Sequence, residues 1–221
     1  MPARSVAIIM DGNARWAARR GLPTLAGHSA GVDTLKQTVR DAVRLGIEEL
    51  TVYAFSTENW NRPEDEVSGL MRLFAERIES ETPELNEEGV RIRYVGRREG
   101  IDPDLIRRME WSETQTEANE RLRLFVAFNY GGRAEILDAA ERYGGGGEEE
   151  FAKLLYAPDM SDPDLLIRTS GESRLSNFLL WQTAYSELVF TDTLWPDFDG
   201  ESVLEAALEE FGARERRYGA R

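Results

Sequence analysis

The chain has 221 residues, a formal net charge of −14 and no cysteine. A chain of this length buries a full core without covalent staples, and the missing thiols exclude disulfides and thiolate metal sites. The acidic balance argues against broad nucleic-acid binding, yet it leaves anionic ligands open, because the field inside a cleft decides their binding.

The first apolar run, Val6–Met10, is far shorter than a secretion signal needs, and no run reaches membrane-spanning length, so a soluble cytoplasmic protein is expected. The run leads into Asp11, Gly12, Asn13, Ala14, Arg15 and Trp16. A carboxylate at a strand end can hold Mg²⁺, and backbone N–H groups of a helix opening there would cradle a diphosphate. The simpler reading is an Asp that caps the next helix. His28, the only histidine, stands in "GHSAG" near a helix start and reads first as a cap or packing residue.

Helical periodicity then covers Gly31–Leu45, through Val32, Leu35, Val39 and Ala42. A second apolar run, Leu50–Phe55, precedes "AFSTENWNRP", which crowds Ser56, Thr57, Glu58, Asn59, Trp60 and Arg62 beyond a second strand end. A helix over Glu64–Ser80 follows, with Val67, Leu70, Met71, Phe74 and Ile78 on one face. Val90–Val95 and Leu122–Phe128 read as strands, with helices over Asp104–Arg121 and Arg133–Tyr143. Gly144–Gly147 and Glu148–Glu150 read as a flexible, solvated connection.

Leu165–Ile167 is a further strand, and "DLLIRTSGESRLSNFLLWQTAYSE" supplies Arg168, Arg174, Leu175, Ser176 and, farther on, Glu187. Leu188–Phe190 reads as the last strand and Glu201–Arg217 as the last helix, acidic at its start and basic at its end. Short unbroken strands alternating with helices predict an α/β fold: one three-layer domain over residues 1–221, its mostly parallel central sheet flanked by helices. Ligands of such sheets bind beyond the carboxyl ends of strands, so three strand ends bearing Arg, hydroxyl and carboxylate groups predict one anion-and-metal site.

Together, "IIMDGNARWA", "GHSAG", "LTVYAFSTENWNRP", "NYGGR", "DLLIRTSGESRLSNFLLWQTAYSEL", "LWPDF" and "RERRYG" closely resemble the cis-prenyltransferase family of the undecaprenyl diphosphate synthase type. The resemblance implies Mg²⁺-dependent addition of isopentenyl diphosphate to an allylic diphosphate such as farnesyl diphosphate, with a Z double bond formed at each step. By matching motif positions it makes Asp11 a metal ligand, with Glu187 a second one. Gly12, Asn13, Ala14 and Arg15 would line the allylic diphosphate, with Trp16 and His28 close by. Ser56, Thr57, Glu58, Asn59, Trp60 and Arg62 would form the other flank, Asn59 at the position tied to proton removal. An amide is a poor base, so Asn59 is expected to orient while a phosphate oxygen or Asp11 takes the proton. Arg168, Arg174 and Ser176 would hold isopentenyl diphosphate, with Leu175 between them.

The growing chain needs an apolar tunnel. Val67, Leu70, Met71, Phe74, Ile78, Ala54, Val126 and Phe128 are candidates for its wall, although most of them read more simply as core. The resemblance also implies a homodimer, with Arg217-Tyr218-Gly219 reaching a neighbour's site, and an apolar product implies transient contact with a membrane surface. Two departures from the family stand out: Thr24 where relatives often carry a basic residue, and GGGG in place of a longer helix. An aspartyl-phosphate phosphatase would need an acid at Asn13, and a silent partner subunit would be expected to lose the Asp and Arg positions this chain keeps.

Overall fold

The computed structural model describes residues 3–214. Its six strands are β1 Ser5–Ile9, β2 Glu49–Ser56, β3 Val90–Val95, β4 Leu122–Tyr130, β5 Leu165–Arg168 and β6 Glu187–Phe190. They form one sheet in the order β3-β4-β2-β1-β5-β6, and every pairing is parallel. The order reverses at β1, so the carboxyl ends of β1, β2 and β5 share one edge beside the switch point where such sheets bind ligands.

The helices are α1 Asn13–Arg19, α2 Thr24–Arg44, α3 Glu64–Glu87, α4 Pro103–Thr116, α5 Gly132–Arg142, α6 Glu148–Ala152 and α7 Glu205–Ala213. Side-chain alternation divides the core between the two faces of the sheet. Val6, Ile8, Leu50, Val52, Leu124 and Val126 pack toward one face with Val39 and Phe211. Ala7, Ile9, Phe125, Ala127 and Leu166 pack toward the other with Phe178 and Leu179. A third cluster joins Leu70 and Ile78 of α3 to Leu105 and Met109 of α4.

Several boundaries differ from the sequence reading. The helix expected from Gly31 begins at Thr24, because Gly27 and Gly31 are close-packing positions and not breakers. The one expected to end at Ser80 runs on through Pro83 to Glu87, and that expected to reach Arg121 stops at Thr116. Glu148–Ala152 is a short helix following three glycines at positive φ, where an unstructured connection was expected. The last helix opens with a π-helical turn at Gly200–Leu204, and the Arg217-Tyr218-Gly219 segment lies outside the described residues. No helix among the described residues is long and apolar enough to cross a membrane.

Candidate active site

Asp11 stands two residues beyond β1, held by its backbone. Its N–H donates to Thr169 Oγ1 at 2.9 Å, and its carbonyl accepts from Thr169 Oγ1 at 2.6 Å and from the N–H of Trp195 at 3.0 Å. Gly12 then turns the chain at φ 114°, a left-handed value that glycine adopts freely, and it lies against Leu194 where a Cβ would sit at 3.0 Å. The Asp11 carboxylate thereby faces Arg168, whose Nη2 donates to Asp11 Oδ2 at 2.9 Å. Arg168 Nη1 donates to Ser176 Oγ at 2.6 Å and to the Arg174 carbonyl at 2.5 Å. The Arg168 side chain is only 5% exposed, and its Nε has no partner. Arg15 reaches the same place, 3.5 Å from Asp11 Oδ2, and donates to the Ser170 carbonyl at 2.9 Å.

Burial opposes ionisation of Asp11, but hydrogen bonds from Arg168 and Ser170 and the charges of Arg168 and Arg15 outweigh it and hold the carboxyl below its usual range. His28 is driven the other way. Burial, with the nearby charge of Arg62 second, lowers it to about 4, so its ring is neutral at pH 7.

The second strand end closes the pocket through a short 3-10 turn, Thr57–Asn61. Asn59 Oδ1 accepts from the N–H of Ser56 at 3.0 Å, which fixes the side chain and leaves its NH₂ as the group able to donate. Asn177 Nδ2 donates to Glu58 Oε1 at 2.8 Å, tying this turn to the Arg168–Ser176 segment.

Asp11, Asn13, His28, Arg168 and Ser176 line one polar pocket of about 1220 Å³, including its open mouth. Ser56, Glu58, Asn59 and Arg62 line its opposite side. Met10, Asn13, His28 and Ala54 border both this pocket and a second, apolar cavity of about 920 Å³ between α2, α3 and the sheet. Inside it, Leu70, Phe74, Ile78, Ala54 and Val126 form wall, as the tunnel reading expects. Val67, Met71 and Phe128 belong instead to the α3–α4 cluster. The register of β2 slips between Tyr53 and Phe55 and again between Phe55 and Ser56. That irregularity sends Phe55 to stack on Phe128, with ring centroids 5.3 Å apart, and leaves Ala54 on the cavity.

Other expected site residues stand outside the pocket wall. Trp16 Nε1 donates to Asp197 Oδ1 at 2.6 Å, and Trp60 Nε1 to Asn129 Oδ1 at 2.7 Å. Thr57 packs on Gly131, Leu175 is half-buried in the second core cluster, and Ala14 is exposed on α1. Arg174 is exposed and paired with Glu172 at 2.5 Å.

Glu187, expected as a second metal ligand, lies apart from Asp11 in the sheet. It pairs in register with Leu165, whereas Ile9 pairs with Arg168. Parallel strands therefore put Glu187 toward the opposite edge of the sheet from Asp11, about 10 Å below Ile9 along the strand direction. There it accepts from Arg214 Nη1 at 2.7 Å, so the two carboxylates do not share a metal within one chain.

Sequence reasoning missed Tyr53, Thr169 and Asn177. Tyr53 lines the pocket and stacks on Phe178 with centroids 4.4 Å apart. Ser170, Ser176, Asn177 and Leu179 all hold positive φ, a cluster of strained non-glycine residues of the kind that gathers at functional sites. The "SN" pair was the available signal for it, since Asn tolerates the left-handed region.

Among the described residues no three acidic or histidine side chains gather into a metal cage. A single ionised carboxylate 32% exposed on the pocket wall nevertheless suits Mg²⁺, which takes one or two carboxylates and completes its shell with water and phosphate oxygens. Asn13 Oδ1, His28 Nε2 and Arg168 Nε are buried on or beside this pocket without hydrogen-bond partners, one acceptor and one cationic donor among them. That donor set fits a hydrated cation together with an anion.

Residues 9–219 match the protein family described as "Putative undecaprenyl diphosphate synthase". An isoprenyl transferase of Thermotoga maritima is 51% identical over 97% of this chain and 95% of its own length. Lavandulyl diphosphate synthase from Lavandula x intermedia, solved with dimethylallyl diphosphate, superposes with a TM-score of 0.94 at 34% identity, covering 99% of this chain and 98% of that one. A Campylobacter jejuni structure described as "a probable undecaprenyl diphosphate synthase" gives a TM-score of 0.85 at 30% identity, covering 99% of both chains. An ionised aspartate facing a buried arginine, at the mouth of an apolar cavity, is the arrangement a diphosphate with an isoprenoid tail requires, and with these likenesses it establishes that the chain is a prenyltransferase belonging to the undecaprenyl diphosphate synthase family.

Proposed function

We propose that the enzyme joins isopentenyl diphosphate to an allylic diphosphate, farnesyl diphosphate being the expected starter. Each addition forms a Z double bond and extends a medium- or long-chain polyprenyl diphosphate, a precursor of a lipid carrier. One observation carries this reading: the charged pocket around Asp11 opens, through Met10, Asn13, His28 and Ala54, into a cavity whose wall is mostly apolar. A diphosphate fits the first and its hydrocarbon tail the second.

In this reading Asp11 would hold Mg²⁺ beside the allylic diphosphate, which Asn13 and Arg15 contact directly. When bound, the ion neutralises the negative charge that builds on the departing diphosphate. Arg168 and Ser176 hold the diphosphate of isopentenyl diphosphate, with exposed Arg174 closing over it on release from Glu172. Two diphosphates repel, so each needs its own cationic side chains. The allylic C1–O bond breaks and diphosphate departs, C4 of the isopentenyl unit attacks C1, and the proton lost from C2 passes to an oxygen of the departing diphosphate or to Asp11. Asn59 donates from its NH₂ and orients the reacting phosphate, since its carbonyl oxygen is engaged by Ser56. Neutral His28 keeps an uncharged, polar rim where the tail enters the cavity. The chain acts as a homodimer in the cytoplasm and meets the membrane surface transiently when the product leaves.

The test is product analysis. The purified chain with isopentenyl diphosphate, farnesyl diphosphate and Mg²⁺ should release diphosphate and yield products whose new double bonds are Z by NMR; chelation should stop incorporation. Products with E bonds, or incorporation that survives exhaustive chelation, would overturn the reading.

A further inference from the structure

Ser170 holds its backbone at φ 78°, a left-handed value unusual for a residue that carries a Cβ. Gly171 follows at φ 76°, so the chain takes two left-handed steps in succession beyond β5. The turn is pinned from the loop after β6. The N–H of Ser170 donates to the Thr193 carbonyl at 2.8 Å, and that of Gly171 to the Thr191 carbonyl at 2.9 Å. Those bonds involve backbone alone, so a glycine at position 170 would make the same turn without strain. The turn does not call for a serine; what the serine adds is its hydroxyl.

That hydroxyl is buried between two charges. Arg15 grips the residue twice: Nη1 donates to the Ser170 carbonyl at 2.9 Å, and Nη2 donates to its Oγ. A hydroxyl that accepts one bond still has a proton to give, and this one hydrogen-bonds the Asp11 carboxylate. The direct distances from Arg15 to carboxylates are longer. Asp11 Oδ2 lies at 3.5 Å and Glu172 Oε1 at 3.9 Å, beyond the about 2.7–3.2 Å of a good N–H···O bond. The Arg15 side chain is 46% exposed, so its burial does not fix it. Without the serine, the guanidinium would be free to close on Asp11 in a charge-assisted bond, and each charge would then be spent on the other.

We propose that Ser170 is a positioning residue for the allylic site. Accepting from Arg15 and donating to Asp11, its hydroxyl holds the two charges side by side but short of direct hydrogen-bond contact, so neither is consumed by the other before a diphosphate arrives. The strained backbone is what brings the carbonyl and the hydroxyl of one residue onto the two arms of one guanidinium. This rests on the reading of Asp11 and Arg15 as the allylic-diphosphate flank, and adds the residue that keeps them available.

Two substitutions remove the hydroxyl with opposite effects on the strain. Ser170→Gly relieves it and should melt at or above the temperature of the unaltered chain, whereas Ser170→Ala keeps it and should melt lower. Both should weaken binding of farnesyl thiodiphosphate, a slowly ionising starter analogue, about tenfold in calorimetric titrations with Mg²⁺ present. In steady-state assays both should raise the KM for farnesyl diphosphate and leave the KM for isopentenyl diphosphate unchanged. A serine that only supports the turn gives another pattern, in which affinity follows the melting temperature, lost in Ser170→Ala and kept in Ser170→Gly. That pattern, or an equal rise in both KM values, would overturn the proposal. The unaltered chain separates the two levels of the argument. If it binds the analogue and Ser170→Gly binds it equally well, the positioning role alone fails; if the unaltered chain does not bind the analogue, the reading of the allylic flank fails and the role of Ser170 with it.

Discussion

At Asp11 burial and ion pairing oppose each other, and pairing wins. Its fold-holding bonds run through the backbone, to Thr169 and Trp195, while the carboxylate serves Arg168. Asp11→Asn removes the charge yet leaves an acceptor for the buried guanidinium, so it should keep the melting temperature while turnover falls about 10²–10³-fold, as when one transition-state contact is lost. Steady-state kinetics with a parallel thermal melt read both, and near-normal turnover would remove Asp11 from the chemistry. His28 gives a second, cleaner signal, because it is the only histidine. Its folded-state value is about 4 against 6.5 for the free group. The unfolded chain therefore takes up the proton first, and stability should fall as pH drops from about 6.5 to about 4, by up to roughly 3 kcal/mol from this group. Imidazole NMR of the native protein should show no titration above pH 5; a midpoint near 6.5 would place the ring in water and not at the pocket rim. Asp11, Arg168 and Ser56 were legible in the sequence because each directly follows an apolar run. Thr169 and Asn177 were not, since their partners, Asp11 and Glu58, lie 158 and 119 residues away.

Among the elements, the helix starts were least legible, and glycine is the reason. Gly27 and Gly31 read as breakers, but they let α1 approach α2. A Cβ on Gly27 would lie 2.1 Å from the carbonyl oxygen of Asn13, and one on Gly31 would lie 2.5 Å from Asn13 Oδ1. Both contacts converge on the residue that borders pocket and cavity alike. Gly27→Ala should destabilise by about 1–3 kcal/mol through overpacking, whereas Gly212→Ala, with open space around it in α7, should be neutral or gain about 0.5–1 kcal/mol from helix propensity. Urea unfolding of the two variants distinguishes them, and equal stabilities would show that α1 and α2 are not packed this closely. Strand positions were easier to read. Buried parallel strands leave unbroken apolar runs, and all six candidates became strands within a few residues of their expected bounds. The β2 irregularity left no such trace, because a slipped register depends on the partner strand and not on the run itself.

For the whole molecule, the α/β class and layer order followed from alternating periods, and the placement of the pocket followed from strand polarity. Glu187 shows the limit of that reading. It follows the other motif residues in sequence, yet the start of β6 lies at the far edge of the sheet. The cavity was also only half legible, since its lining comes from α2 and α3 together and one helix face carries both tunnel wall and core. In the proposed function the polar pocket and the apolar cavity are one site, joined at Ala54. Its most direct test is Ala54→Trp, which fills the junction without touching Asp11 or Arg168. Starter use by this variant should shift: incorporation with farnesyl diphosphate should fall steeply relative to incorporation with dimethylallyl diphosphate, whose short tail does not reach far beyond the junction. An unchanged ratio between the two starters, in a variant that melts like the unaltered chain, would contradict the account.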